Sequence, residues 1–173
     1  MKKNLLSLVV IFSIITGGKA VAQTSATATA NATAGVVTPI TLTKTVDLNF
    51  GILVPSGTPG TLTLTPMGIR THAGGVSVLS ATGMVTPALF AVSGESGYAF
   101  GITLPGTDVI LTNGGGQTMH VSDFVSFPSV ATGGTLVGGV HTLTVGGMLH
   151  VDANQAAGIY TSQTPFSVTV NYN

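Results

Sequence analysis

Hydrophobic and polar residues alternate along much of this chain with a period of two, which is the repeat of a strand and not of a helix. Residues 164–173, TPFSVTVNYN, place Phe166, Val168, Val170 and Tyr172 on one face, and a strand of that kind needs a partner to cover it. Near the other end, Ala26, Ala28, Ala30, Ala32, Ala34 and Val36 alternate with Thr27, Thr29, Asn31 and Thr33. Two readings of that stretch stand side by side: a low-complexity linker, or an extended strand that inserts small side chains into another core. The same parity runs on through Ile40, Leu42, Val46, Leu48, Phe50 and Ile52, broken at Thr38 and Lys44. Pro39 assigns this region to the start or edge of a sheet, because proline cannot donate to a ladder.

Further strands follow at short intervals. Leu62 and Leu64 mark one, GGVSVLS (74–80) and PALFAVSG (87–94) two more. YAFGITLPG (98–106) puts Tyr98, Phe100, Ile102 and Leu104 on one face and stops at Pro105-Gly106. DVILT and MHVSDFVSF are separated by the flexible run Gly114-Gly115-Gly116. VHTLTVGGMLHV (140–151) reads as a hairpin with a three-residue loop at 146–148, which pairs Val145 with Leu149 and Leu143 with Val151. In that register His150 points to solvent. No window shows a helical stripe, and short strands punctuated by Gly, Pro and Asn predict an all-β, antiparallel sandwich over residues 37–173.

The first 22 residues change the composition that matters. Met1-Lys2-Lys3-Asn4, the apolar run Leu5 to Ile15 and Ala20-Val21-Ala22 have the layout of a signal peptide, with cleavage expected before Gln23. No later apolar run reaches the roughly 18 residues of a spanning helix, so no integral membrane span is expected after cleavage. Removing 22 of 173 residues leaves 151, enough for one domain with a core. Residues 23–36 form an N-terminal extension to it. Of the charged residues only Lys44 and Arg70 then stand against Asp47, Glu95, Asp108, Asp123 and Asp152, a net charge of −3. So few cations exclude a phosphate-backbone surface, and no nucleic acid is expected as partner. With no cysteine, an exported chain must be stabilised by packing and ladder bonds alone. So few charges also remove the usual guard against edge-to-edge pairing.

Chemistry finds little footing. SGESGY (93–98) places Gly97 directly after Ser96, so the Gly-x-Ser-x-Gly elbow of a hydrolase is not met; a tight turn joining strands 87–93 and 98–104 accounts for these residues. His72, His120, His141 and His150 include no pair two or four residues apart, so no local metal-ligand pair is present. Asp152 and Asn154 lack the further acidic ligands of a calcium loop. No catalytic residue, metal or cofactor is expected, and the chain reads as non-enzymatic.

VTPITLTKTVDLNFGILVPSG (37–57) together with NQAAGIYTSQTPFSVTVNYN (154–173) resembles a bacterial secreted family, number 4402 in the domain-of-unknown-function series. Lys-Thr-x-Asp-Leu-x-Phe-Gly is the most specific part of the match. More loosely, the closing Ala-Gly-x-Tyr…Val-x-Val-x-Tyr pattern is similar to chaperone–usher pilin subunits of the spore-coat-U-like class, although those commonly hold a cysteine pair absent here. That resemblance implies an immunoglobulin-like sandwich missing one strand, whose groove a periplasmic chaperone and then a neighbouring subunit's extension would fill. It implies a surface filament or coat built by self-association, with an outer-membrane usher as a further partner. Residues 24–36 would be the donor strand, and the strand carrying Phe166, Val168, Val170 and Tyr172 one wall of the groove. The alternative is a self-contained extracellular adhesion or ligand-binding sandwich.

Overall fold

The computed structural model describes residues 25–79 and 84–173; the expected signal peptide, 1–22, lies outside them. Residues 36–173 form one compact body, and the chain up to Gly35 is a separate unit.

The body is an antiparallel β-sandwich organised around one long strand. That strand is β9 (Val140–Val151), preceded along the chain by β1 (Thr41–Val46), β2 (Leu53–Leu64), β3 (Arg70–Val78), β4 (Ala88–Ser93), β5 (Ala99–Thr103), β6 (Val109–Thr112), β7 (Thr118–Phe127) and β8 (Gly134–Thr135), and followed by β10 (Thr161–Ser162) and β11 (Thr169–Tyr172). On one flank, Val140–Val145 pairs with β4, which pairs with β1; on the same flank Gly147–Val151 pairs with β2, which pairs with β3. The other flank carries β7, β6 and β10 in that order. A second, smaller sheet has the order β11-β5-β8.

Residues 140–151 are therefore a single strand, not the hairpin that Gly146-Gly147 suggests. Leu143, Val145, Leu149 and Val151 do share a buried face, but they share it along one continuous strand. The reason lies in the neighbours. A Cβ on Gly146 would collide with the Leu64 carbonyl oxygen, and one on Gly147 would sit 3.1 Å from Val121. Neither glycine has a positive φ. They are there for close approach of the flanking strands, the second use to which a strand puts glycine.

A second group of glycines bends the β2–β3 ribbon. Register shifts between Pro55 and Gly60, Gly74 has a φ of 68°, and a Cβ on Gly75 would strike the Thr58 carbonyl. The ribbon turns at this corner, and its far half, with Leu53, Val76 and Val78, covers a core of Phe50, Leu62, Leu64, Met119, Val121, Leu149 and Val151. The other core lies between the sheets: Phe90, Val92, Leu143 and Val145 of the large sheet meet Phe100, Ile102, Leu136 and Val170. Phe124 touches both clusters. It is aimed inward by a β-bulge between Ser122 and Val125, where Asp123 takes a φ of 47°.

The Lys44–Gly51 motif builds the corner that leads from β1 to the second core. Lys44 and Asp47 form an ion pair, Asn49 and Thr86 exchange backbone hydrogen bonds, and Asn49 Oδ1 accepts from the Gly51 N–H at 2.8 Å. Phe50 is buried, and Gly51, with a φ of 73°, reverses the inward parity so that Ile52 faces out.

Candidate assembly edges

Two strands end their sheets side by side. β11 pairs only with β5, and β1 only with β4, among the described residues. Their Cα atoms approach within 8 Å of one another. The Asn173 N–H donates to the Ala99 carbonyl at 3.2 Å, and hydrogen-bonded positions alternate along an antiparallel pair. Asn171 and Thr169 therefore bond to β5, while Val170 and Tyr172 turn their N–H and C=O groups outward along the free edge.

Beneath this seam lies apolar surface that the core covers only in part. Ile40, Leu42, Phe166, Val168 and Tyr172 are half-buried against the inter-sheet cluster. The alternation read from residues 166–172 holds: Phe166, Val168, Val170 and Tyr172 face inward and their neighbours outward. The strand itself is shorter than the pattern, Thr169–Tyr172, because residues 163–168 cross from β10 in the large sheet to β11 in the small one. Phe166 fills that crossing, 5.0 Å from the Phe124 ring and 6.4 Å from Phe90. Ala26, Ala28, Ala30, Ala32, Ala34 and Val36 form neither helix nor strand, and their side chains are exposed, Val36 to 97%.

The start of the compact body is clasped to the end of β11. The Tyr172 hydroxyl donates to the Thr38 carbonyl at 2.7 Å and accepts from the Glu95 N–H at 2.6 Å. Glu95 Oε2 accepts from the Thr38 N–H at 2.9 Å. Both main-chain groups of Thr38 are thus bound by side chains, and Pro39 has no N–H. No ladder can run through these two residues, which separates the alternation of 26–36 from that of β1. The turn at 94–97 that supplies Glu95 is not a hairpin: it carries the chain from β4 in one sheet to β5 in the other. Ser96 is exposed on it.

The Thr38 N–H holds the Glu95 carboxyl below its ordinary value of 4.5, its hydrogen bond outweighing a small opposing effect of burial. A carboxylate with a lowered folded pKa contributes stability above its unfolded value, and that contribution is lost as pH falls through the folded one. The Thr38 amide resonance should accordingly titrate below pH 4.5, moving toward its position in Glu95→Gln. A Thr38 amide that does not move in that range, or moves equally in the variant, removes the clasp.

The structure brings together two histidines that lie 30 positions apart in the sequence. His120 and His150 are direct partners across β7 and β9, with rings stacked at 4.3 Å and 11°. His150 is half-covered rather than turned to open solvent. No spacing rule for neighbouring residues could show this, since the ladder register alone makes them adjacent. His72 is on β3, and His141 packs edge-on to Phe100. Asp152 sits in the turn after β9, where its N–H is held by buried Gln155. Two open clefts flank the β5–β6 loop, of about 260 Å³ and about 510 Å³. The larger runs between Thr103–Ile110 and Gln163–Thr169 and is rich in hydroxyls.

Residues 40–172 match the family described as Domain of unknown function (DUF4402), and the chain belongs to it. No curated protein and no solved structure matches the chain.

Proposed function

We propose that this member of the family is an exported, non-enzymatic structural subunit of a surface filament or coat, in which residues 24–36 of one copy add as a strand to the seam between β1 and β11 of the next. The carrying observation is the seam: two unpaired strand edges, side by side, over a half-buried apolar row. Such edges are the surfaces on which strand addition occurs, with ladder bonds supplying attraction and alternate side chains setting register. No charged residue of β11 opposes it, and the one cation of β1, Lys44, is neutralised by Asp47.

Size also supports the reading. A strand inserted between two others needs about 4.8 Å on each side, so a seam whose Cα atoms already come within 8 Å must part by about 2 Å or more to admit one. Alanine side chains stand off the sheet plane and add little bulk over the half-buried apolar row beneath the seam. They also bury little apolar area each, at about 25 cal/mol per Å², so most of the attraction comes from the ladder. A signal peptide at 1–22, a periplasmic chaperone that shields the seam in transit and an outer-membrane usher complete the proposal.

Deleting residues 23–36 is the test. The shortened protein should be exported and folded, free or bound to a chaperone, and should form no ladder of multiples in unboiled surface extract. Polymers that persist unchanged exclude this segment as the donor. The second reading, a self-contained ligand-binding or adhesive sandwich, draws on the 510 Å³ hydroxyl-lined cleft. It requires mature protein that is monomeric, stable alone and protected from amide exchange at residues 26–36.

A further inference from the structure

We propose that the cleft between the β5–β6 loop and the crossing at residues 163–169 binds a neutral sugar, free or as one unit of a glycan chain. This ligand class rests on the second reading's premise that the cleft is a site, and the site asks nothing of the β1–β11 seam.

The lining selects the ligand. A cleft of about 510 Å³ falls in the range of small-molecule sites, roughly 300–1,000 Å³, whose walls are as a rule mostly apolar with a few polar groups. Here Thr103, Thr107, Gln163, Thr164, Ser167 and Thr169 all line it with exposed hydroxyls or an amide. With Asp108 that makes seven polar side chains among fourteen lining residues, so the ligand must itself be rich in polar groups. Thr103 and Thr169 are cross-strand partners of β5 and β11, and their side chains stand together on one face. None of the six neutral side chains has a hydrogen-bond partner among the described residues, whereas Thr41, Thr45 and Thr144 donate their hydroxyls to strand carbonyls.

Charge narrows the choice. Asp108 is the one ionised side chain of the lining, and no cation lies there to receive a phosphate, a sulfate or a sugar carboxylate. Its carboxylate can accept from two adjacent ring hydroxyls, since His120 Nε2 at 3.9 Å is beyond hydrogen-bond distance. A cationic ligand would gain little from a single ion pair exposed to water. Ile110, exposed to 53%, Pro165 and the uncovered part of half-buried Phe166 supply apolar ground for the C–H face of a pyranose. Many hydroxyls, one carboxylate and some apolar surface fit a sugar, which carries hydroxyls at its rim and C–H groups on its faces.

Saturation-transfer NMR on the mature protein, which reads monomers and polymers alike, tests this with maltose, cellobiose, lactose and N,N′-diacetylchitobiose. At least one should receive saturation, with a Kd in the millimolar range. Asp108→Asn should weaken that binding about tenfold, through loss of a charged acceptor, and Gln163→Ala roughly threefold. Both residues are exposed, so neither change threatens the fold. Asp152→Asn, which removes the same charge from the turn after β9, should bind as the parent does. The sulfated form of the same sugar should bind more weakly. Tighter binding of the corresponding tetrasaccharide assigns the site to a glycan chain, and equal binding assigns it to the free sugar. No transfer to any of the four disaccharides, equal binding of the sulfated form, or binding untouched in both Asp108→Asn and Gln163→Ala overturns the site. The second reading turns on the oligomeric state of the mature protein, a separate measurement, so the two failures are told apart.

Discussion

Gly146→Ala should cost about 3 kcal/mol and lower the unfolding midpoint by roughly 6–12 °C, the largest single-residue loss expected in this fold. The added methyl points at the Leu64 carbonyl oxygen, with the carbonyl carbon of Thr65 at 2.8 Å and that of Leu64 at 3.0 Å. Backbone cannot rotate away as a side chain can. Relief comes only from parting β2 and β9, and that pairing holds Leu62 and Leu149 opposite one another at the centre of the second core. Gly106→Ala is the control. Its Cβ would meet nothing within 4 Å and its φ is not positive, so its midpoint should stay within about 0.5 kcal/mol of the parent. Chemical denaturation of both variants measures the difference. A Gly146→Ala protein as stable as the Gly106→Ala one would mean that residues 146–147 form a loop after all.

Arg70→Ala should cost about 2–3 kcal/mol, since hydrogen bonds from a charged donor contribute more than neutral ones and their loss leaves acceptors unpaired. The guanidinium donates to three carbonyls: Phe50 at 2.9 Å, Ile52 at 3.3 Å and Leu79 at 3.1 Å. Those carbonyls lie just before β2 and just after β3, whereas Arg70 opens β3. The side chain thus ties the two ends of the bent ribbon together over the second core. Arg70→Lys should recover less than half of the loss, because an ammonium is a point donor and does not reproduce the planar fork. Full recovery by lysine, measured by the same denaturation, would show that charge and not geometry is what matters there. Gly51 belongs to the same device: a Cβ on it would approach Arg70 Nη1 at 2.8 Å and Val85 at 2.7 Å. The Phe-Gly pair closing the Lys44–Gly51 motif is thereby accounted for by packing and backbone conformation.

Period-two alternation placed most residues inward, with Ile52 and Tyr98, both exposed, among the exceptions. Leu62 and Leu64 are both fully buried, as are Phe100, Leu143 and Val145, and Ile102 and Val170 nearly so. The signal is reliable because a pleated strand offers only two faces. Where the reading went astray, the cause was a residue with two physical uses. Gly146-Gly147 suits a turn and equally suits two backbones in close approach, and nothing in the local sequence separates the cases. The SGESGY turn was legible as a turn, but whether it joins neighbours or crosses between sheets depends on where β5 finds its partners.

The sequence by itself determined the fold class, the inward face of most strands, the scarcity of charge and the family to which the chain belongs. Those properties reside in each residue and its near neighbours along the chain. Only the tertiary structure decided that β1 and β11 lie edge to edge, that Thr38 is clasped by Glu95 and Tyr172, and that His120 stacks on His150. Each of these depends on which strands pair and in what register. That choice is set by the summed packing of residues far apart in the chain, so no single stretch of sequence carries it.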